Sequence, residues 1–142
     1  MELIYLDAVV PEDGESLADV MFKDAELPLT AGMFAGIQNY DYGLHDPADI
    51  EWVRRRTTPQ SPRTMTDRLR LKSDLSRFPR HFIECADRSV GPAAAQTSAI
   101  ALRGRRCAAD PTWTHQVLDA PHDCMVSHPE RTAELILSVA DR

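Results

Sequence analysis

The sequence has 142 residues, the length of a single domain at roughly 100–200 residues each. Its 43% hydrophobic and 27% charged content is that of an ordinary globular chain, which excludes wholesale disorder and collagen-like repetition. A net charge of -6 argues against a general nucleic-acid binder, which needs a basic surface.

The chain opens on Leu3-Ile4-Tyr5-Leu6, an apolar, β-favouring run without alternation, as in a strand covered on both faces. No basic n-region precedes it and Pro11-Glu12-Asp13 ends the apolar character early, so it does not read as a signal peptide. Nowhere does the chain approach the ~18–20 consecutive apolar residues of a membrane helix. Pro11 to Ser16 is turn chemistry, and Leu17 to Phe22 suits a short helix. Residues 23–45 carry scattered proline and glycine and predict no regular element.

The clearest helix start follows. Asp46 suits the cap, Pro47 the first helical position, and Asp49 and Glu51 the positive end of the helix dipole. Arg54, Arg55 and Arg56 fall at the negative end, and Thr57-Thr58-Pro59 stops a helix predicted over about 47–56. From residue 81 the pattern alternates: a strand at 81–85, an alanine-rich helix at 92–102, a brief strand at 116–118, and a helix at 129–140. Strand and helix in this order predict an α/β fold with parallel strands and right-handed crossovers. Arg103, Arg105 and Arg106 beside Gly104 read as a solvated helix end. Cys85, Cys107 and Cys124, an odd number set far apart, form no disulfide framework and point to a reducing, cytoplasmic setting.

Ligands of open α/β sheets bind outside the carboxyl ends of the strands. Two polar candidates occupy such positions. Asp87 follows the strand at 81–85, and His122 follows the strand at 116–118. A carboxylate and an imidazole at one sheet edge can form a base-orienting pair, the acid fixing the ring's tautomer and stabilising the imidazolium. A plain alternative is that Asp87 caps a helix or closes a turn. A metal reading uses His122, Cys124 and His128, with Cys85 near, but this spacing matches no common paired-ligand pattern. Cys124 is expected to be a buried small hydrophobe and not a nucleophile. Trp52, Met33, Phe34 and Tyr40 suit ordinary packing or the wall of a pocket.

The run Leu3-Ile4-Tyr5-Leu6-Asp7-Ala8-Val9-Val10-Pro11-Glu12-Asp13-Gly14-Glu15-Ser16-Leu17 resembles the sixth strand and following loop of α/β-hydrolases, in the branch of small-molecule esterases, plant methylesterases and hydroxynitrile lyases. Asp46-Pro47-Ala48-Asp49-Ile50-Glu51-Trp52 through Thr58-Pro59-Gln60 resembles that branch's cap helix and its exit. Phe82-Ile83-Glu84-Cys85-Ala86-Asp87-Arg88 is similar to the strand that delivers the triad acid, although one residue shorter before the acid. Pro121-His122-Asp123-Cys124-Met125 is similar to the Gly-His-Asp-x-Met run that delivers the triad histidine, with proline in place of the first glycine. The resemblance implies His122 as general base and acid and Asp87 as its orienting partner. It also implies a core of residues 1–16 and 71–142 with a helical cap over 17–70, an ester-like substrate and no cofactor.

The resembled family needs a Gly-x-Ser-x-Gly elbow to expose its nucleophile. The only comparable frame here is Gly32-Met33-Phe34-Ala35-Gly36, with phenylalanine in the serine position. The chain therefore reads as the C-terminal part of a hydrolase holding two of three triad members. Its opening strand would lack a neighbour, which predicts marginal stability or self-association. The rival expectation is an inactive, hydrolase-like binding or assembly module.

Overall fold

A computed structural model describes residues 2–21, 41, 43–58, 61, 63–87 and 94–140, without the side chains of 94–98 and 140. The elements are β1 (Leu3–Leu6), α1 (Leu17–Met21), α2 (Pro47–Arg54), α3 (Arg63–Thr66), a 3-10 turn (Leu75–Arg77), β2 (Arg80–Cys85), α4 (Ala94–Ala109), β3 (Trp113–Leu118), α5 (Cys124–Ser127) and α6 (Pro129–Ala140). Met33, Phe34 and Tyr40, and the first two residues of the helix predicted from Pro92, lie outside the described residues. None of the described helices is long and apolar enough to cross a membrane.

The fold is α/β. Among the described residues its three strands are parallel, in the order β1-β2-β3. Leu3 pairs with Arg80 and Leu6 with Ile83, while Arg80 pairs with Trp113 and Cys85 with Leu118. Strand alternation divides the core in two. One face buries Phe82 with Val9, Ala99, Ile100 and Cys107, and Tyr5, Leu17 and Trp113 pack beside them. The other buries Ile83, Cys85, Leu118, Ala120 and Cys124, with Ile4, Leu6, Leu135 and Ile136 alongside. The helix residues in these clusters put α1 and α4 on the first face and α6 on the second, so the β2 run is apolar toward both sides, as a central parallel strand must be.

The ends of the 17–70 excursion are tied together at its base. Gly14 N–H donates to Leu69 O at 2.9 Å, Leu69 N–H to Glu15 O at 2.8 Å, and Leu71 N–H to Asp13 Oδ1 at 2.8 Å. Within it α2 forms as its cap requires, Asp46 Oδ1 accepting from Ala48 N–H at 2.7 Å.

Two elements differ from expectation. β3 starts at Trp113, three residues before the predicted strand, because Trp113, Thr114 and His115 find partners in Arg80, His81 and Phe82. The predicted helix end at Leu102 is also corrected, since α4 runs to Ala109 and places the three arginines inside it. Arg103 is not solvated. Its side chain is 8% exposed, and its guanidinium donates to Glu12 Oε1 at 2.9 Å and Glu15 Oε2 at 2.5 Å. The helix passes so close to the sheet at Gly104 that a β-carbon there would stand 2.6 Å from Glu84 Oε2 and 3.2 Å from Phe82 Cε1.

Candidate active site

Parallel pairing sends the ends of all three strands to one rim. Asp7 follows β1, Ala86-Asp87 follows β2, and the turn from Asp119 to Asp123 follows β3. Backbone bonds fasten the rim. Ala86 N–H donates to Leu118 O at 2.8 Å, and Asp87 N–H to Ala120 O at 3.1 Å.

Asp7 is the centre of this rim. Its side chain is 0% exposed, and a carboxylate without water must be held by donors. Cys85 N–H donates to Oδ1 at 3.0 Å, and His122 Nδ1 lies 2.7 Å from Oδ2. Asp7 N–H in turn donates to Ile83 O at 2.7 Å. The backbone here is strained, with φ of +43° at Asp7 and +46° at Val10. Aspartate tolerates the left-handed region, but a β-branched valine there is a genuine outlier of the sort that collects at functional sites.

His122 keeps 28% of its side-chain surface exposed. A hydrogen bond to Asp7 fixes the Nδ1–H tautomer and leaves Nε2 as the ring's basic nitrogen. The sequence reading gave the orienting role to Asp87; the acid bonded to His122 Nδ1 is Asp7. The physical reason is the stagger of the strands. β1 ends level with Ile83, two residues before β2 ends, so Asp7 lies under the rim where Cys85 N–H and the His122 ring converge on it. The Asp87 side chain meets His45, its Oδ2 lying 2.8 Å from His45 Nε2.

The neighbours of His122 are tightly set. Gly43 has φ of +79°, and a β-carbon on it would meet Pro121 Cβ at 3.1 Å and His122 N at 3.5 Å. Only glycine has both the freedom and the room. Burial raises the Asp123 carboxyl above its ordinary range, against the opposing charge of His122. Cys124 is fully buried, and its thiol comes down to about 7 chiefly through the hydrogen bond from the Cys85 thiol, with burial working the other way. It is a core residue, as the sequence suggested, and belongs to the cluster under α6. Thr132 Oγ1 donates to Cys124 O at 3.1 Å and anchors the turn to α6.

The metal reading finds no geometry. Among the described residues no group of three or more His, Cys, Asp or Glu side chains is placed to hold a metal ion. His128 Nδ1 bonds instead to Ser127 Oγ at 2.8 Å. Trp52 is 45% exposed and carries the Arg56 guanidinium 4.2 Å above its ring, a surface stack and not a pocket wall.

Asp7 and His45 are the residues the sequence reading missed. For Asp7 a signal existed: it is the first polar residue after an apolar strand, the same position that nominated Asp87. His45 lay at the end of a stretch without pattern, and only the Asp46 cap beside it hinted that its place was fixed.

No protein-family model matches the chain, and no curated protein does.

Proposed function

We propose that this chain carries the proton-handling half of a carboxylic-ester hydrolase site of the α/β-hydrolase kind, with His122 as general base and acid and Asp7 as its orienting acid. In this reading the oxygen that attacks the acyl carbon gives its proton to His122 Nε2. The tetrahedral intermediate then expels the alcohol oxygen, the C–O bond breaks, and the same proton passes from Nε2 to that leaving oxygen. Asp7 stays ionised throughout and stabilises the imidazolium while it exists. The serine that completes a triad in the resembled family has no counterpart in this sequence, so proton transfer is the chemistry assigned to these residues.

The observation that supports the reading best is the Asp7 carboxylate: fully buried, on a strained turn, and spent on the Cys85 amide and on His122. A carboxylate buried for stability alone has no need to grip a partly exposed histidine at a sheet's carboxyl rim. The test is hydrolysis of p-nitrophenyl acetate against an equal concentration of imidazole. Turnover above that background should fall to it in His122→Ala. It should fall roughly 100- to 10,000-fold in Asp7→Asn, the range of general acid–base catalysis. Turnover that survives His122→Ala would remove His122 from the chemistry.

A second reading, an assembly module, is favoured by one observation. β1 stands at the sheet's edge among the described residues, and its Leu3-Ile4-Tyr5-Leu6 run is a ready template for pairing with another strand.

A further inference from the structure

The rim holds a second imidazole–carboxylate pair that the proton transfer above does not use. His45 Nε2 lies 2.8 Å from Asp87 Oδ2, with the side chains 56% and 27% exposed. Both partners come from segments that run beside the turn carrying His122. Asp87 N–H bonds to Ala120 O, two residues before His122. Gly43, two residues before His45, passes close enough to this turn that a β-carbon on it would stand 3.1 Å from Pro121 Cβ and 3.5 Å from His122 N. His45 itself is clamped between Leu44, 1% exposed, and Asp46, the cap of α2.

An exposed pair of this kind contributes little to stability. When Nε2 is engaged by a carboxylate, the ring's orientation is set, and in the protonated ring Nδ1–H is a fixed donor. A donor on the same rim as the proposed general base has a use in ester cleavage: negative charge grows on the carbonyl oxygen while the base works on the proton.

We propose that His45, oriented by Asp87, is a second substrate-binding residue of the His122 site. It takes the carbonyl oxygen of a carboxylic ester and, after cleavage, one oxygen of the product carboxylate. Asp87 is its positioning residue. The proposal rests on the hydrolase reading, and the experiment separates the two.

The experiment follows imidazole N–H signals of the full chain by nitrogen-15 NMR during titration with benzoate, a product carboxylate. Benzoate is expected to shift the His45 and His122 signals with one shared Kd. His45→Gln should weaken that binding about tenfold, the loss of one charge-assisted hydrogen bond, while the His122 signals of the unliganded chain stay in place. Asp87→Asn should weaken it less, and adding it to His45→Gln should cost nothing further. In turnover, His45→Gln should lower kcat more than it raises KM, because the charge on the oxygen grows only as the reaction proceeds. Benzoate that binds His45→Gln as tightly as the wild type, that shifts His122 alone, or that shifts neither ring overturns the assignment of His45. The hydrolase reading falls separately, by turnover that persists in His122→Ala.

Discussion

Gly43 and Gly14 make a matched pair for testing how the His122 turn is held. Both have left-handed backbone, φ +79° and +82°, so alanine at either pays the left-handed penalty of roughly 1–2 kcal/mol. They differ in surroundings. A β-carbon at Gly14 meets nothing within 4 Å, whereas one at Gly43 stands 3.1 Å from Pro121 Cβ and 3.5 Å from His122 N. A proline ring carbon and a backbone nitrogen cannot swing aside, so the overlap should add about 1–2 kcal/mol, the lower part of the overpacking range. Gly14→Ala should therefore cost roughly 1–2 kcal/mol and Gly43→Ala about 2–4, read as the change in urea midpoint at constant slope. The overlap should also push His122 away from Asp7. Displacing a catalytic group by about 1 Å can cost on the order of 100-fold in rate, so Gly43→Ala should lose p-nitrophenyl acetate turnover while Gly14→Ala keeps it. Equal midpoints for the two variants, or a destabilised Gly43→Ala with full turnover, would refute the idea that the loop before α2 braces the histidine.

Arg103→Met should destabilise the fold by about 2 kcal/mol in urea, less than a fully buried pair because Glu12 can turn to water. Burial pushes the Glu12 carboxyl up, but the hydrogen bond from Arg103 and the charges of Arg106 and Arg103 outweigh it and hold it below its ordinary 4.5. A depressed carboxyl stabilises the fold above that ordinary value and loses the effect as pH falls through the lower, folded value; the wild type should weaken below about pH 4.5. A midpoint-versus-pH curve of unchanged shape in Arg103→Met would dismiss the ion pair as its source. Gly104→Ala gains about 1 kcal/mol of helix propensity but overlaps Glu84 and Phe82 and should lose roughly 1 kcal/mol net. Combining it with Glu84→Ala should recover most of that loss in thermal melts. Leu3 and Asp7 donate inward to Pro79 O and Ile83 O, so alternation turns the Ile4 amide toward the open edge of β1. Ile4→Pro removes that outward donor, and sedimentation velocity should show concentration-dependent association reduced by it; equal association in both proteins would place the contact elsewhere.

Local chemistry made some elements legible and left others silent. β1 and α6 were readable to the residue because Leu3–Leu6 is uniformly apolar and because Ala133, Ile136, Leu137 and Ala140 repeat at helical spacing. α2 was readable from its cap and proline. The start of β3 was not: Trp113, Thr114 and His115 precede the strand expected from residue 116 and are held by β2, whose residues lie some 30 positions earlier. Gly104 among arginines resembled a helix stop, yet arginine is a good helix former, and the acids that bury Arg103 are Glu12 and Glu15, far upstream. The same limit hid the acid bonded to His122. Residue spacing nominates an aspartate at the end of a strand, but which aspartate meets the ring depends on stagger between strands.

That stagger explains why the rim has two imidazole–carboxylate pairs instead of one. Register sets Leu6 against Ile83 and Cys85 against Leu118, so β1 stops short while β2 and β3 end level. The short strand leaves a recess at the end of β1, and the left-handed turn at Asp7 drops a carboxylate into it. The turn after β3 brings the His122 ring onto that carboxylate, past the end of β2, where Cys85 N–H helps to hold it. Asp87 lies one step beyond, its amide on Ala120, and meets a histidine delivered from the other direction by the loop before α2. One carboxylate is dry and the other partly wet, so the same chemical pair stands in two different environments. In the roles proposed above, the buried acid suits a ring that holds and releases a proton, and the exposed acid suits a ring that reaches a substrate oxygen.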